Sequence, residues 1–157
     1  MTTPPLHPSL SSLSFLLGIW RGTGKGKYPS IEDFEYGEEI SFSHVGKPFL
    51  IYTQRSWDLQ NHNGLHIESG YLRPVGNHRA ELVLSQPTGI TEMHEGEIIS
   101  TKVEFSTLEV SCTPSAKQVS SVKRILEVTG KTLNYNVAIE AVGYPLLPHL
   151  TSQLVLS

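Results

Sequence analysis

Glycine recurs at positions 18, 22, 24 and 26, and Trp20 shares their parity. A period of two places these residues on one face of an extended strand. A face without side chains weakens a strand unless something packs close against its backbone. Trp20 adds a large ring that needs burial and a partner for its N–H. The stretch therefore predicts the first strand of a closed, strongly bent sheet, with one tryptophan plugging an end.

The rest of the chain reads mostly as further strands. Phe34, Tyr36, Ile40 and Phe42 alternate with Glu35, Gly37, Glu39 and Ser41, and Phe49–Trp57 is rich in β-branched and aromatic residues. Val45-Gly46-Lys47-Pro48, Asn61-His62-Asn63-Gly64, Pro87-Thr88-Gly89 and Thr129-Gly130-Lys131 are turn signals. Between them lie strands expected over 65–72, 80–85, 90–99, 102–111, 118–128 and 132–141, with a last one over 150–156. About ten short strands at roughly 8–12-residue spacing indicate an all-β barrel or sandwich. Closure removes exposed edges, which favours an antiparallel up-and-down barrel of calycin type. Ten strands enclose more space than side chains fill, so a cavity is expected. The one helix expected is Ser9–Leu17, capped by Ser9, with Leu10, Leu13, Leu16 and Leu17 at helical spacing. It is too short to stand alone and suits a lid on one barrel end. Met1–Pro8 holds three prolines and reads as a flexible tail, leaving 9–157 as a single domain; 157 residues suffice for one real core.

Several classes of function lack support. Net charge is −3, which does not suggest a nucleic-acid surface. No apolar run approaches a membrane span of roughly 20 residues, and no secretory signal opens the chain. The single cysteine, Cys112, fits a reducing compartment and reads as half-buried and apolar. A soluble cytoplasmic domain is expected. Gly22-Thr23-Gly24-Lys25-Gly26-Lys27 lacks the spacing and the following helix of a phosphate loop. No zinc signature and no nucleophile elbow are found.

Chemistry is left to histidine. His7, His62 and His78 fall in the tail or in polar turns, and His94 reads as lying on a wet edge. His44 and His66 are placed within strands, bonded to backbone or to a neighbour such as Glu68. His149 differs because Pro145 and Pro148 stiffen its approach and apolar residues surround it. A rigid mount suits an axial metal ligand. A capping role at a strand start is the alternative. Its parity opposes Leu150, Leu154 and Leu156, which a bend at Pro148 would reconcile.

Taken together, these residues resemble the nitrobindin family of haem-binding β-barrels. Gly18-Ile19-Trp20-Arg21-Gly22-Thr23-Gly24 fits its GxWxGxG signature. Tyr28-Pro29-Ser30-Ile31, Ser43–Pro48, His66–Arg73, Pro87-Thr88-Gly89 and Ala141–Leu150 follow in family order. The resemblance implies a ten-stranded barrel with haem b near one mouth, one per subunit. It implies nitric oxide binding, isomerisation of peroxynitrite to nitrate at ferric haem, and a possible homodimer. Chemistry would occur at the iron, with no catalytic side chain. His149 falls on the axial ligand, His66 on a pocket position across the haem, Ser30 on a position lining the site, and Lys117 on a lysine near the haem edge. His66 could bond a ligand or simply pair with Glu68; Lys117 could pair with a propionate or be solvated. Leu147 departs from the more polar residue common there. A non-catalytic carrier of a fatty acid or other apolar ligand is the rival use of the same cavity, and an interaction module a weaker third.

Overall fold

The structure is a computed structural model and describes residues 2–157. Ten strands form one closed antiparallel barrel. They are β1 (Gly18–Tyr28), β2 (Ile31–Ser43), β3 (Leu50–Asp58), β4 (Gly64–Val75), β5 (Arg79–Gln86), β6 (Ile90–Ile99), β7 (Lys102–Cys112), β8 (Val119–Thr129), β9 (Thr132–Ala141) and β10 (Leu147–Leu156). Each pairs with its neighbours in sequence, and β1 pairs with β10 to close the ring.

The glycines of β1 have a mechanical reason. A Cβ on Gly24 would meet the Tyr36 ring, and one on Gly26 would run into the Phe34 ring. Both rings belong to β2, whose residues 36 and 34 pair directly with 24 and 26. The bare face of β1 is thus the seat on which two cavity-lining aromatics lie.

The expected helix is present, shifted by one residue at each end and capped by a different residue. It is a 3₁₀ helix over Pro8–Leu16, and the Nδ1 of His7, not Ser9, caps it by accepting from Ser9 N–H at 3.1 Å. Leu10, Leu13 and Leu16 recur at intervals of three, which stacks them on one face of a helix with three residues per turn. All three are buried in the core. Trp20 Nε1 donates to the Leu16 carbonyl at 2.8 Å, satisfying one of the free acceptors at the helix end. The helix and Trp20 close one barrel end as expected. Before the helix, Leu6 packs against the core and Pro4 lies beside Gly46. Met1 of the expected tail lies outside the described residues.

The apolar core fills the end nearest this helix: Ile40, Leu50, Leu72, Leu133 and Leu154 are buried with Phe105 and Val103. The other end stays open. No described helix is long and apolar enough to cross a membrane.

Candidate functional site

The open end leads into a cavity of about 490 Å³. Its outer wall carries Phe34 of β2, His66 of β4, Ile90 of β6, Val137 and Ile139 of β9, and His149 and Leu150 of β10. Its inner wall is polar: Glu38, Gln54, Glu68, Glu92, Arg124 and Tyr135 face it.

His149 reaches the cavity through a bulge. Leu147 pairs with Ile139, Pro148 with Ala138, and Leu150 with Val137, so His149 is the extra residue opposite none. A bulge re-aims one side chain without shifting the register beyond it. That is the physical form of the bend expected at Pro148. His149 and Leu150 consequently both line the cavity despite their opposite parity. His149 Nδ1 lies 2.9 Å from the Lys27 carbonyl. A carbonyl only accepts, so Nδ1 carries the proton and Nε2 keeps the lone pair of the neutral ring. Burial lowers the pKa of His149, the Lys27 carbonyl opposes this, and the charge of Lys117 lowers it further. Tyr28 stands edge-on to the imidazole at 5.6 Å between centroids. The Tyr28 hydroxyl donates to the Ile139 carbonyl at 3.1 Å and accepts from Ala141 N–H at 3.0 Å, tying β1 to β9 at the mouth.

Across the mouth, His66 is half-buried and bonded to Glu68, Nε2 to Oε2 at 3.1 Å. The residues so far expected at the site are only partly assembled. His66 and His149 share the cavity. Ser30 is exposed in the turn between β1 and β2, and Lys117 is exposed before β8; neither is among the lining residues. Lys117 is still near enough for its charge to act on His149.

Beneath the mouth runs a buried polar belt. Arg124 of β8 donates from Nε to Glu92 Oε1 at 3.0 Å and from Nη2 to Glu92 Oε2 at 2.9 Å. It reaches Glu68 Oε2 from Nη2 at 3.2 Å and also bonds Glu68 Oε1 through Nη1. Tyr52 donates to Glu68 at 2.7 Å. Glu38 accepts from Ser152 at 2.6 Å and from Gln54 at 2.8 Å. Burial works against ionising Glu68 and Glu92, but the Arg124 guanidinium and the hydrogen bonds to it and to the two histidines hold both carboxyls below the usual carboxylate range. Glu38 has no such cation, and burial pushes its pKa up.

His94 corrects an expectation. It is 1% exposed, not on a wet edge, with Nε2 2.7 Å from Glu92 Oε1 and Nδ1 unpartnered among the described residues. His44 lies just beyond β2, not in a strand, and its Nδ1 accepts from Gly46 N–H at 3.1 Å. Sequence reasoning passed over Glu38, Glu92 and Arg124. A signal existed: each shares the parity of buried apolar neighbours in its own strand, such as Ile40, Ile90 and Val122.

Comparison with known proteins places this arrangement. Residues 9–155 match the family model described as THAP4-like, heme-binding beta-barrel domain. Peroxynitrite isomerase 1 of Mycolicibacterium paratuberculosis is 46% identical over 153 residues, 95% of each chain. Peroxynitrite isomerase Rv2717c of Arabidopsis thaliana is 41% identical over 152 residues, 97% of this chain and 91% of that one. The crystal structure of Rv2717c from M. tuberculosis matches with a TM-score of 0.91 at 41% identity, covering 98% of this chain and 99% of that one. With fold, coverage and identity in agreement, this chain belongs to the THAP4-like heme-binding β-barrel family.

Proposed function

We propose that this protein is a haem-dependent peroxynitrite isomerase that takes one haem b in its open mouth with His149 as the axial ligand. The observation that carries the reading is the Nδ1–H of His149 bonded to the Lys27 carbonyl, which leaves the Nε2 lone pair for iron. The residues present fit the group in two further ways. Phe34, Ile90, Val137, Ile139 and Leu150 give a macrocycle apolar walls, and Tyr28 braces the imidazole from its side. Among the described residues no three His, Cys, Asp or Glu side chains converge on a bare-ion site. A metal on His149 therefore has to bring most of its own ligands, as a porphyrin does.

Haem held by His149 would supply the iron chemistry that turns peroxynitrite into nitrate. The chain's part is to mount, orient and enclose. Burial keeps the His149 imidazole neutral and so able to ligate. The helix and Trp20 seal the far end, so a small ligand has the mouth as its entry. Lys117, whose charge is felt at His149, is the residue assigned to an anionic edge of the cofactor, and Ser30 is assigned a hydroxyl contact with it by family resemblance alone. Nitric oxide is a second small ligand of the same cavity, and a cytoplasmic homodimer completes the proposal.

A fatty-acid carrier is disfavoured by the belt. An acyl chain laid on Glu38, Glu68, Glu92 and Arg124 would cover charged groups with no hydrogen bonds to offer. The test is titration of the protein with hemin. A Soret band that saturates at one equivalent, conversion of peroxynitrite to nitrate, and loss of the band in His149→Leu are the expected results. Unsaturable hemin uptake with strong displacement of a fluorescent fatty acid would replace this reading with the carrier.

A further inference from the structure

The buried belt surfaces in the cavity mouth at one side chain, His66. Its Nε2 faces Glu68 Oε2 at 3.1 Å. Glu68 is only 4% exposed and is held from its far side by Arg124. That guanidinium serves Glu92 as well, so two buried carboxylates share one cation. His94, the other neighbour of Glu92, is kept neutral by burial and adds no charge. Within the buried belt Arg124 alone offsets the two carboxylates, and His66 is the remaining group that faces Glu68. An ionised carboxylate can only accept, which makes His66 Nε2 the donor. Nδ1 of His66 has no hydrogen bond among the described residues, and the ring lines the cavity.

We propose that His66, positioned by Glu68 and Arg124, shares a single proton with any weak-acid anion that enters the cavity, so that anion and proton bind together. The inference rests on the haem reading of the mouth. A bare anion beside an unprotonated Nδ1 meets its lone pair and, beyond the ring, the Glu68 carboxylate, and both repel it. One added proton removes the conflict. On Nδ1 it makes an imidazolium between Glu68 and the anion; on the ligand it is donated to Nδ1. The two forms contain the same atoms and charge, and no electron moves. The other ionisable groups facing this cavity are Glu35, Tyr36 and Glu38 of β2, Asp58 of β3, Glu92 of β6, Arg124 of β8, Tyr135 of β9 and His149 of β10. None of these donates to His66, and the Arg124 donors are already taken by Glu68, Glu92 and the Tyr135 hydroxyl. Glu68 and Arg124 are accordingly positioning residues, acting through His66.

The probe is azide, added to hemin-loaded protein and read from the Soret shift and from a pH indicator. The natural chain is expected to take up about one proton per azide near pH 8, so that affinity falls roughly tenfold per pH unit. His66→Phe should take up clearly fewer protons per azide than the natural chain, since any uptake that belongs to the haem itself is common to both. Glu68→Gln, which keeps an acceptor but not the charge, should reduce the uptake. ¹⁵N NMR of the hemin-free natural chain provides a readout independent of haem and of variant folding. Its expected result is a neutral His66 protonated on Nε2, with a titration midpoint that azide raises. Equal proton uptake by the natural chain and His66→Phe, or a neutral His66 protonated on Nδ1, overturns the proposal. Failure to bind hemin overturns the haem reading instead, and the NMR result then decides this inference alone.

Discussion

Replacing Arg124 with methionine tests whether the polar belt is held as its geometry implies. The guanidinium is 5% exposed, and its partners Glu68 and Glu92 are 3% and 1% exposed at their side chains. Removing one partner of a buried ion pair costs about 3–5 kcal/mol, because the remaining charge is left without compensation. For a domain of this size that lowers Tm by roughly 6–20 °C. Urea unfolding of the hemin-free protein measures the loss directly. Its pH dependence is the sharper check. In the natural chain both carboxyls are depressed in the folded state, so the stability they contribute is present above their ordinary pKa of 4.5 and is lost as pH falls through the folded values. In Arg124→Met the cation is gone and burial governs, pushing both folded pKa values up. The variant's deficit is therefore largest near neutral pH and shrinks as the carboxyls take up protons on acidification. Adding Glu68→Gln and Glu92→Gln to Arg124→Met should recover much of the deficit at neutral pH. A loss under about 1 kcal/mol at neutral pH, or a deficit that acidification leaves unchanged, would refute the argument.

Two further substitutions probe how the mouth is built. Gly26→Ala drives a methyl into the Phe34 ring; overpacking should cost about 1–3 kcal/mol in thermal unfolding and weaken hemin binding by shifting a cavity wall. Tyr28→Phe leaves the buried Ala141 N–H without its acceptor; about 1–3 kcal/mol of stability should be lost, with slower or weaker hemin uptake as the brace on His149 loosens.

The amino-acid sequence carried the barrel because alternation and turn chemistry are local. Residues two apart share a face wherever a strand is placed, and the expected limits of β6 and β9 coincide with the observed ones. The same logic made Trp20 and the β1 glycines legible, since a bare strand face implies something lying on it. It failed where a residue's meaning depends on a distant partner. Glu92-Met93-His94-Glu95 looks solvated when read alone, yet Glu92 and His94 turn inward beside Ile90 and meet Arg124, which closes on them from β8. The helix itself was legible, but not its 3₁₀ form, because Leu10, Leu13 and Leu16 satisfy both helical spacings in so short a run.

His149 shows the division most clearly. Its two prolines and apolar neighbours marked it in the sequence as a rigidly mounted imidazole. Strict alternation, however, put it on the outer face. Only the pairing of β10 with β9 decides otherwise, by leaving one residue unpaired at position 149 and turning it to the cavity, where the Lys27 carbonyl of β1 fixes its proton. Periodicity is a property of one strand and can be read along it. A bulge, a tautomer and a buried ion pair are properties of two or more strands, and they exist only once the sheet has closed.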